Sequence, residues 1–138
     1  MKLRSRSSQS PAAGLDPVKI ALAFVGRINA KDVDGLCALM TKNHRFVDSM
    51  GDLHAGRERM REGWRRYLAL FPDYRVTVTH TFSAGARAAL FGSTRARYAP
   101  SGRLVAMRAA WLVTVRGRLV AEWRVFADNE PARRAMRE

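Results

Sequence analysis

Disulfides are the first thing missing. Cys37 is the single cysteine in 138 residues, and it sits inside the helical pattern DVDGLCALM. That excludes a cross-linked framework and any zinc-type Cys/His spacing, and leaves Cys37 to pack as a small core hydrophobe. Long apolar runs are missing too. No stretch is long enough to span a bilayer, and the N-terminal MKLRSRSSQSPAAG is basic and Ser-rich without the apolar h-region of a secretory signal. A cytoplasmic protein with no membrane association is the expectation. There is no Gly-rich phosphate loop and no redox cysteine pair, so no cofactor is implied. The three histidines, His44, His54 and His80, show no H-x-x-x-H or paired-carboxylate spacing, and no metal site is expected.

Acid is the scarce charge: 12 Asp and Glu stand against 25 Lys and Arg, for a net charge of +13. Clustered basic residues can neutralise phosphates. Here much of the excess lies near the ends, at Lys2, Arg4, Arg6, Arg133, Arg134 and Arg137. In the middle, Arg57, Arg59, Arg61, Arg65 and Arg66 are interleaved with Glu58 and Glu62 on a helix, where i,i+4 pairing gives a solvated face. No helix-turn-helix, zinc-finger or RNP-type aromatic motif accompanies the charge. The reading is a solvated basic surface with no specific nucleic-acid partner.

What is present is one domain's worth of ordered pattern. Residues 1–15 read as a disordered basic tail, 16–130 as a single domain and 131–138 as a basic C-terminal tail. Asp16-Pro17 is an N-cap followed by proline at the first helical position, and Ile20, Phe24, Val25 and Ile28 recur at helical spacing. A second short helix is predicted from Asp32, a strand over 44–49, a turn at Gly51 and a helix over 56–70, stopped by Phe71-Pro72-Asp73. The period then switches to two. Strands are predicted over 74–82, 88–98, 104–115 and 119–127, with turns at Pro100-Ser101-Gly102 and Arg116-Gly117. Alternation puts Tyr74, Val76, Val78, His80 and Phe82 on one face, and Leu119, Ala121, Trp123, Val125 and Ala127 on the inward face of the last strand. Helices followed by an antiparallel meander make an α+β domain with helices on one face of a curved sheet.

The block AFVGRINAKDVDGLCALMTKNHRFVDSMGDLHAGRERM, then W-x-x-Y, FPDY and GRLVAEWRVFAD, resembles the NTF2-like superfamily, in particular its SnoaL-like polyketide cyclase and ketosteroid isomerase branch, over residues 17–129. The resemblance implies a cone: three N-terminal helices packed on a strongly curved antiparallel sheet, enclosing a mostly apolar cavity for a small lipophilic ligand. It also implies a homodimer through the exposed sheet face. In the ketosteroid isomerase branch a general-base Asp follows the first short strand, and a gapless reading puts it on Asp48. The same reading puts that branch's oxyanion-hole Tyr on Phe24, and its protonated Asp falls on Trp111. An indole N–H can donate but is not an acid. With both donors replaced, that isomerase reaction is not expected. In the limonene-epoxide-hydrolase branch the inward Asp of the last strand corresponds to Val125, so its base is absent. Polyketide cyclases of this superfamily use an Asp near the end of the last strand; Asp128 is the nearest residue, and alternation favours a cap role for it.

Asp48 therefore has two readings. It accepts backbone N–H bonds from the turn at Ser49–Gly51, or it faces the cavity as a general base. In the second case loss of solvation is expected to raise its pKa. His80, on an otherwise apolar strand face, is the second catalytic candidate. His54, in DLHAG, is placed near the cavity mouth, and His44 at the surface. Phe24, Met50, Trp64, Tyr67, Met107, Trp111, Trp123 and Val125 are the expected pocket lining, and Tyr67 or Tyr98 is a source of the donor that Phe24 lacks. The expected function is an isomerase-, cyclase- or dehydratase-type enzyme acting on a lipophilic carbonyl compound. The alternative is a non-catalytic ligand-binding or dimerisation domain of the same fold.

Overall fold

The computed structural model describes residues 16–128 and 130–137; the N-terminal tail expected over 1–15 lies outside the described residues. Helix α1 (Pro17–Asn29) starts where its sequence signals it: Asp16 accepts the Val18 N–H at 2.9 Å and Pro17 fills the first turn. Its stripe of Ala21, Phe24, Val25 and Ile28 is buried. Asp32 caps α2 (Val33–Ala38) by accepting the Gly35 N–H at 2.9 Å. Helix α3 (Arg57–Leu70) ends just before Phe71-Pro72, since proline has no N–H to continue it.

The strands are β1 (Met40–Val47), β2 (Leu53–Ala55), β3 (Arg75–Ala84), β4 (Arg87–Tyr98), β5 (Arg103–Arg116) and β6 (Leu119–Ala127). They form one curved sheet in the order β2-β1-β6-β5-β4-β3, antiparallel except where β1 lies beside β6. The three-residue β2, which follows the Asp48–Asp52 turn, is absent from the sequence reading because LHA is too short to show a period. Helices α1 to α3 lie against one face, and the core between them includes Leu36, Cys37, Met40, Leu90, Val113 and Trp123.

Two bulges decide which side chains point inward. Val78 pairs with Gly92 and His80 with Phe91, so Thr79 is an extra residue. Gly92 permits the close approach, because a Cβ there would lie 1.8 Å from the Thr77 carbonyl oxygen. Past Thr79 the alternation slips by one. His80 and Phe82, expected on the inner face, are consequently exposed, Phe82 by 63%. In β6, Ala121 is the extra residue between the Val115–Val120 and Thr114–Glu122 pairs. Val120 is therefore fully buried, while Leu119 and Ala121, expected inward, are only half-buried.

The C-terminal residues correct a second expectation. Residues 130–137 are not a tail but a fourth helix, α4 (Glu130–Arg137). Asp128 accepts the Glu130 N–H at 3.1 Å. Ala132 and Ala135 bury in a small second core with Phe71, Ala96 and Val105, while Glu130 pairs with Arg133, Arg134 and Arg137 on the outside. A stripe of two alanines among arginines is too slight an apolar signal to read as a docked helix. The α+β class stands, with four helices among the described residues in place of three.

Candidate active site

Between α3 and the inner face of the sheet lies a cavity of about 520 Å³. Its wall is mainly apolar: Trp64 from α3, Met107 and Trp111 from β5, Trp123 and Val125 from β6, all expected there. The polar groups are few and concentrated.

The turn between β1 and β2 supplies the first of them. Asp48 Oδ1 accepts the N–H groups of Met50 at 2.9 Å and Asp52 at 3.0 Å, and Oδ2 meets His54 Nε2 at 3.0 Å. Register brings the two side chains together: His54 lies opposite Phe46, and Asp48, two residues on from Phe46, falls on the same face of the hairpin. Both residues line the cavity, with side chains 30% and 36% exposed. The two readings of Asp48 are thus one arrangement: the carboxylate that shapes the turn also faces the hollow. Its pKa moves opposite to expectation. Burial pushes it up, but the hydrogen bonds from His54 and from the Asp52 and Met50 amides outweigh burial and hold the carboxyl below its ordinary 3.8. An ionised Asp48 selects the His54 tautomer that carries its proton on Nε2, leaving the lone pair on Nδ1, which has no partner among the described residues.

Two phenols make the second polar group. Tyr67 of α3 and Tyr74, just ahead of β3, meet edge to face with ring centroids 5.1 Å apart, and both line the cavity. Neither hydroxyl has a protein partner among the described residues. Burial pushes the Tyr67 phenol up to about 12, and burial, then the neighbouring Tyr67, pushes Tyr74 up as well. Both remain neutral hydrogen-bond donors at physiological pH. Tyr98, the other expected donor, packs on Phe71 at 5.5 Å in the second core.

Three expected site residues lie elsewhere. Phe24 is fully buried, 4.6 Å from Trp123, and fills the core rather than lining the cavity. Met50 is 60% exposed on the turn, its Sδ 3.2 Å from Arg133 Nη1. His80 is on the outer face for the bulge reason given above, bonded to Thr79 and far from Asp48 in the sheet order. His44, expected at the surface, is fully buried: Nδ1 donates to the Val120 carbonyl at 2.8 Å, the ring stacks on Phe24, and Nε2 has no partner among the described residues. Asp128 is exposed and caps α4, the role alternation favoured. Sequence reasoning missed Tyr74, Arg59 and Arg66, all of which line the cavity. The spacing Arg59, Gly63, Arg66 beside Met60, Trp64 and Tyr67 on α3 was the available signal.

No helix among the described residues is long and apolar enough to cross a membrane. A search of curated proteins finds no match. Several solved structures are similar. One is a protein from Jannaschia sp. CCS1 assigned by name to the SnoaL-like polyketide cyclases, with 21% identity, 86% of this chain and 90% of that one covered, and a TM-score of 0.78. Another, from Catenulispora acidiphila DSM 44928, has a ketosteroid isomerase-like fold and was solved with trimethylamine; identity is 20%, coverage 78% and 84%, and TM-score 0.72. IdmH from Streptomyces antibioticus, also assigned by name to the polyketide cyclases, shares 19% identity over 90% of this chain and all of that one, with a TM-score of 0.75. At these identities the likeness establishes the cone, not the chemistry. The sequence itself goes further, because residues 21–123, most of the chain, match the family model for the SnoaL-like domain. With strand order, cavity and sequence in agreement, the chain belongs to the SnoaL-like domain family.

Proposed function

We propose that the protein is a cofactor-independent enzyme that moves a proton at carbon next to a carbonyl in a small lipophilic compound, an isomerising or ring-closing reaction. The observation that carries this reading is the 3.0 Å contact between Asp48 and His54 on the wall of an apolar cavity. Asp48, held ionised, is a poor proton acceptor by itself but orients His54 and stabilises its imidazolium. His54 Nδ1 takes the proton from carbon, the electron pair moves onto the carbonyl oxygen, and the resulting enolate accepts a hydrogen bond from Tyr67 or Tyr74. Those phenols stand in for the donors replaced by Phe24 and Trp111. The proton then returns from His54 to a different carbon of a conjugated enolate, or the enolate carbon attacks a second carbonyl whose oxygen takes the proton from His54. The polyketide cyclase assignments of the similar Jannaschia and Streptomyces proteins agree with this chemistry.

The test is α-proton exchange of 2-tetralone in deuterated water, followed by NMR, which needs no knowledge of the natural substrate. Asp48→Asn and His54→Gln are each expected to slow exchange by about 10²- to 10⁴-fold while affinity for the ketone persists. A rate unchanged in either variant removes the dyad. The two amides bonded to Asp48 Oδ1 favour the second reading, a non-catalytic binding domain in which Asp48 is turn architecture. Absence of exchange with the wild-type protein, despite ketone binding, would select it.

We further propose a homodimer through the outer sheet face. Cross-strand register assembles His80, Phe91, Ala110 and Phe126 into one row, with Phe82 against Phe91 at 5.9 Å. A monomer by sedimentation at micromolar concentration would overturn it.

A further inference from the structure

Helix α3 carries five arginines, and the structure divides them into two groups. Arg57 and Arg61 pair with Glu58, and Arg61 and Arg65 reach across to Asp34 on α2. Arg59 and Arg66 pair with nothing among the described residues, although Glu62 lies on the same helix between them. These two line the cavity. They lie seven residues apart on one side of the helix, about 10 Å along its axis. Between them stands Gly63, also on the cavity wall, where even a methyl group would meet only the Met60 Cε at 3.8 Å. The rim therefore has two exposed guanidiniums flanking a position with no side chain, above a wall of tryptophan and methionine.

Asp48, the one carboxylate on the cavity wall among the described residues, does not neutralise them. Both Asp48 oxygens are engaged, Oδ1 by two backbone amides and Oδ2 by His54. A neutral lipophilic guest would leave two cations facing the edge of an apolar hollow with no counter-charge. A guest with an acidic group would place its apolar body against Trp64, Trp111 and Trp123 and its anion between the guanidiniums, whose planar forks match a carboxylate bidentately.

We propose that the cavity takes an aromatic or polycyclic carboxylate, with Arg59 and Arg66 as its anion clamp. This deepens the proposed function by naming the substrate class, and rests on it only for the cavity being the ligand site. Net positive charge draws anions to the whole surface, so the clamp must be separated from the general field.

The experiment compares fluorescence titrations of anthracene-2-carboxylate and its methyl ester, at low ionic strength, with wild type, Arg59→Gln/Arg66→Gln, and the charge-matched control Arg57→Gln/Arg65→Gln. The wild type is expected to bind the acid more tightly than the ester. The Arg59→Gln/Arg66→Gln variant should lose about tenfold or more in affinity for the acid and less than about twofold for the ester, with the control close to wild type. Equal affinity for acid and ester, an equal loss in the control, or no binding of either probe would each overturn the clamp. Because binding is read without turnover, the outcomes separate. Arginine-dependent binding without any α-proton exchange sinks the proton-transfer reading alone, and exchange without acid preference sinks the clamp alone.

Discussion

His44 and His54 sit on neighbouring strands, ten positions apart, and their surroundings could hardly differ more. His44 on β1 is fully enclosed, stacked on Phe24, with one nitrogen on the Val120 carbonyl and the other on nothing among the described residues. His54 on β2 is a third exposed, edged by Phe46, and bound to a carboxylate at the rim of a hollow. Burial, which outweighs the Val120 hydrogen bond and the Glu122 charge, makes protonation of His44 costly, so it serves as a neutral core ring. A carboxylate partner and an open side leave His54 within reach of a molecule in the cavity. The same contrast holds at the scale of the cone: one end is packed around Phe24, and the other opens into the cavity between α3 and the sheet.

The packed end is the easier to break. Phe24→Ala removes a fully buried ring that touches His44 and Trp123, and is expected to cost about 3–5 kcal/mol of stability by urea unfolding. A loss under about 1 kcal/mol would mean that this end is not close-packed and that the contrast is drawn wrongly.

How much of this was legible in the sequence follows the same divide. Capping residues, helical stripes and the regular alternation of β4 and β5 were readable because local chemistry and the tertiary fold ask for the same thing there. Asp48 as a cavity residue came from the family resemblance, and its turn bonds from Asp chemistry. What could not be read were departures from period two. A single extra residue at Thr79 carries His80 from the inner face to solvent, and nothing in VTVTHTF announces it. His44 was unreadable for the opposite reason: β1 begins four residues earlier than its apolar pattern suggests and lies beside β6, a parallel pairing that no local signal encodes. The partner of Asp48 was six residues away, but only the short β2 hairpin makes that separation a contact.

Acid sharpens the comparison of the two histidines. The ordinary His value is 6.5, and burial lowers that of His44 against the opposing Val120 hydrogen bond and the Glu122 charge. Below 6.5 the unfolded chain therefore takes up a proton that the folded chain refuses. Stability falls with pH by up to about 1.4 kcal/mol per unit and stops falling once the folded-state value is passed. In His44→Phe, which keeps an aromatic ring against Phe24, that part of the slope should disappear from urea-unfolding curves taken between pH 5 and pH 7, roughly the range around the ordinary imidazole value. A slope identical to wild type would show that His44 is not the group responsible.

Asp48 titrates lower, and here too stability is lost as pH falls, although folding favours its charged rather than its neutral form. Its carboxyl is held below 3.8, so its contribution to folding is present above that value and is lost as pH falls through the folded-state value. Asp48→Ala, which strips two amides and His54 of their acceptor, should cost about 1–2 kcal/mol at neutral pH. The difference from wild type should shrink in strong acid, and a difference independent of pH would mean that the charge is not what stabilises the turn.

The smallest change is the most discriminating for the hollow end. Tyr67→Phe deletes a hydroxyl that has no protein partner among the described residues, and a donor that bonds none of them contributes little to holding the fold together. Thermal unfolding is expected to move by less than about 0.5 kcal/mol equivalent, in either direction. If the phenol donates to a developing enolate, its loss still slows α-proton exchange, by about tenfold or more, with ketone affinity preserved. Tyr74 makes a companion control, since both rings reach the same space. A variant that loses stability but not rate would place the hydroxyl in the packing, as Phe24 is. A variant that loses rate but not stability would show that the hydroxyl serves a guest in the cavity.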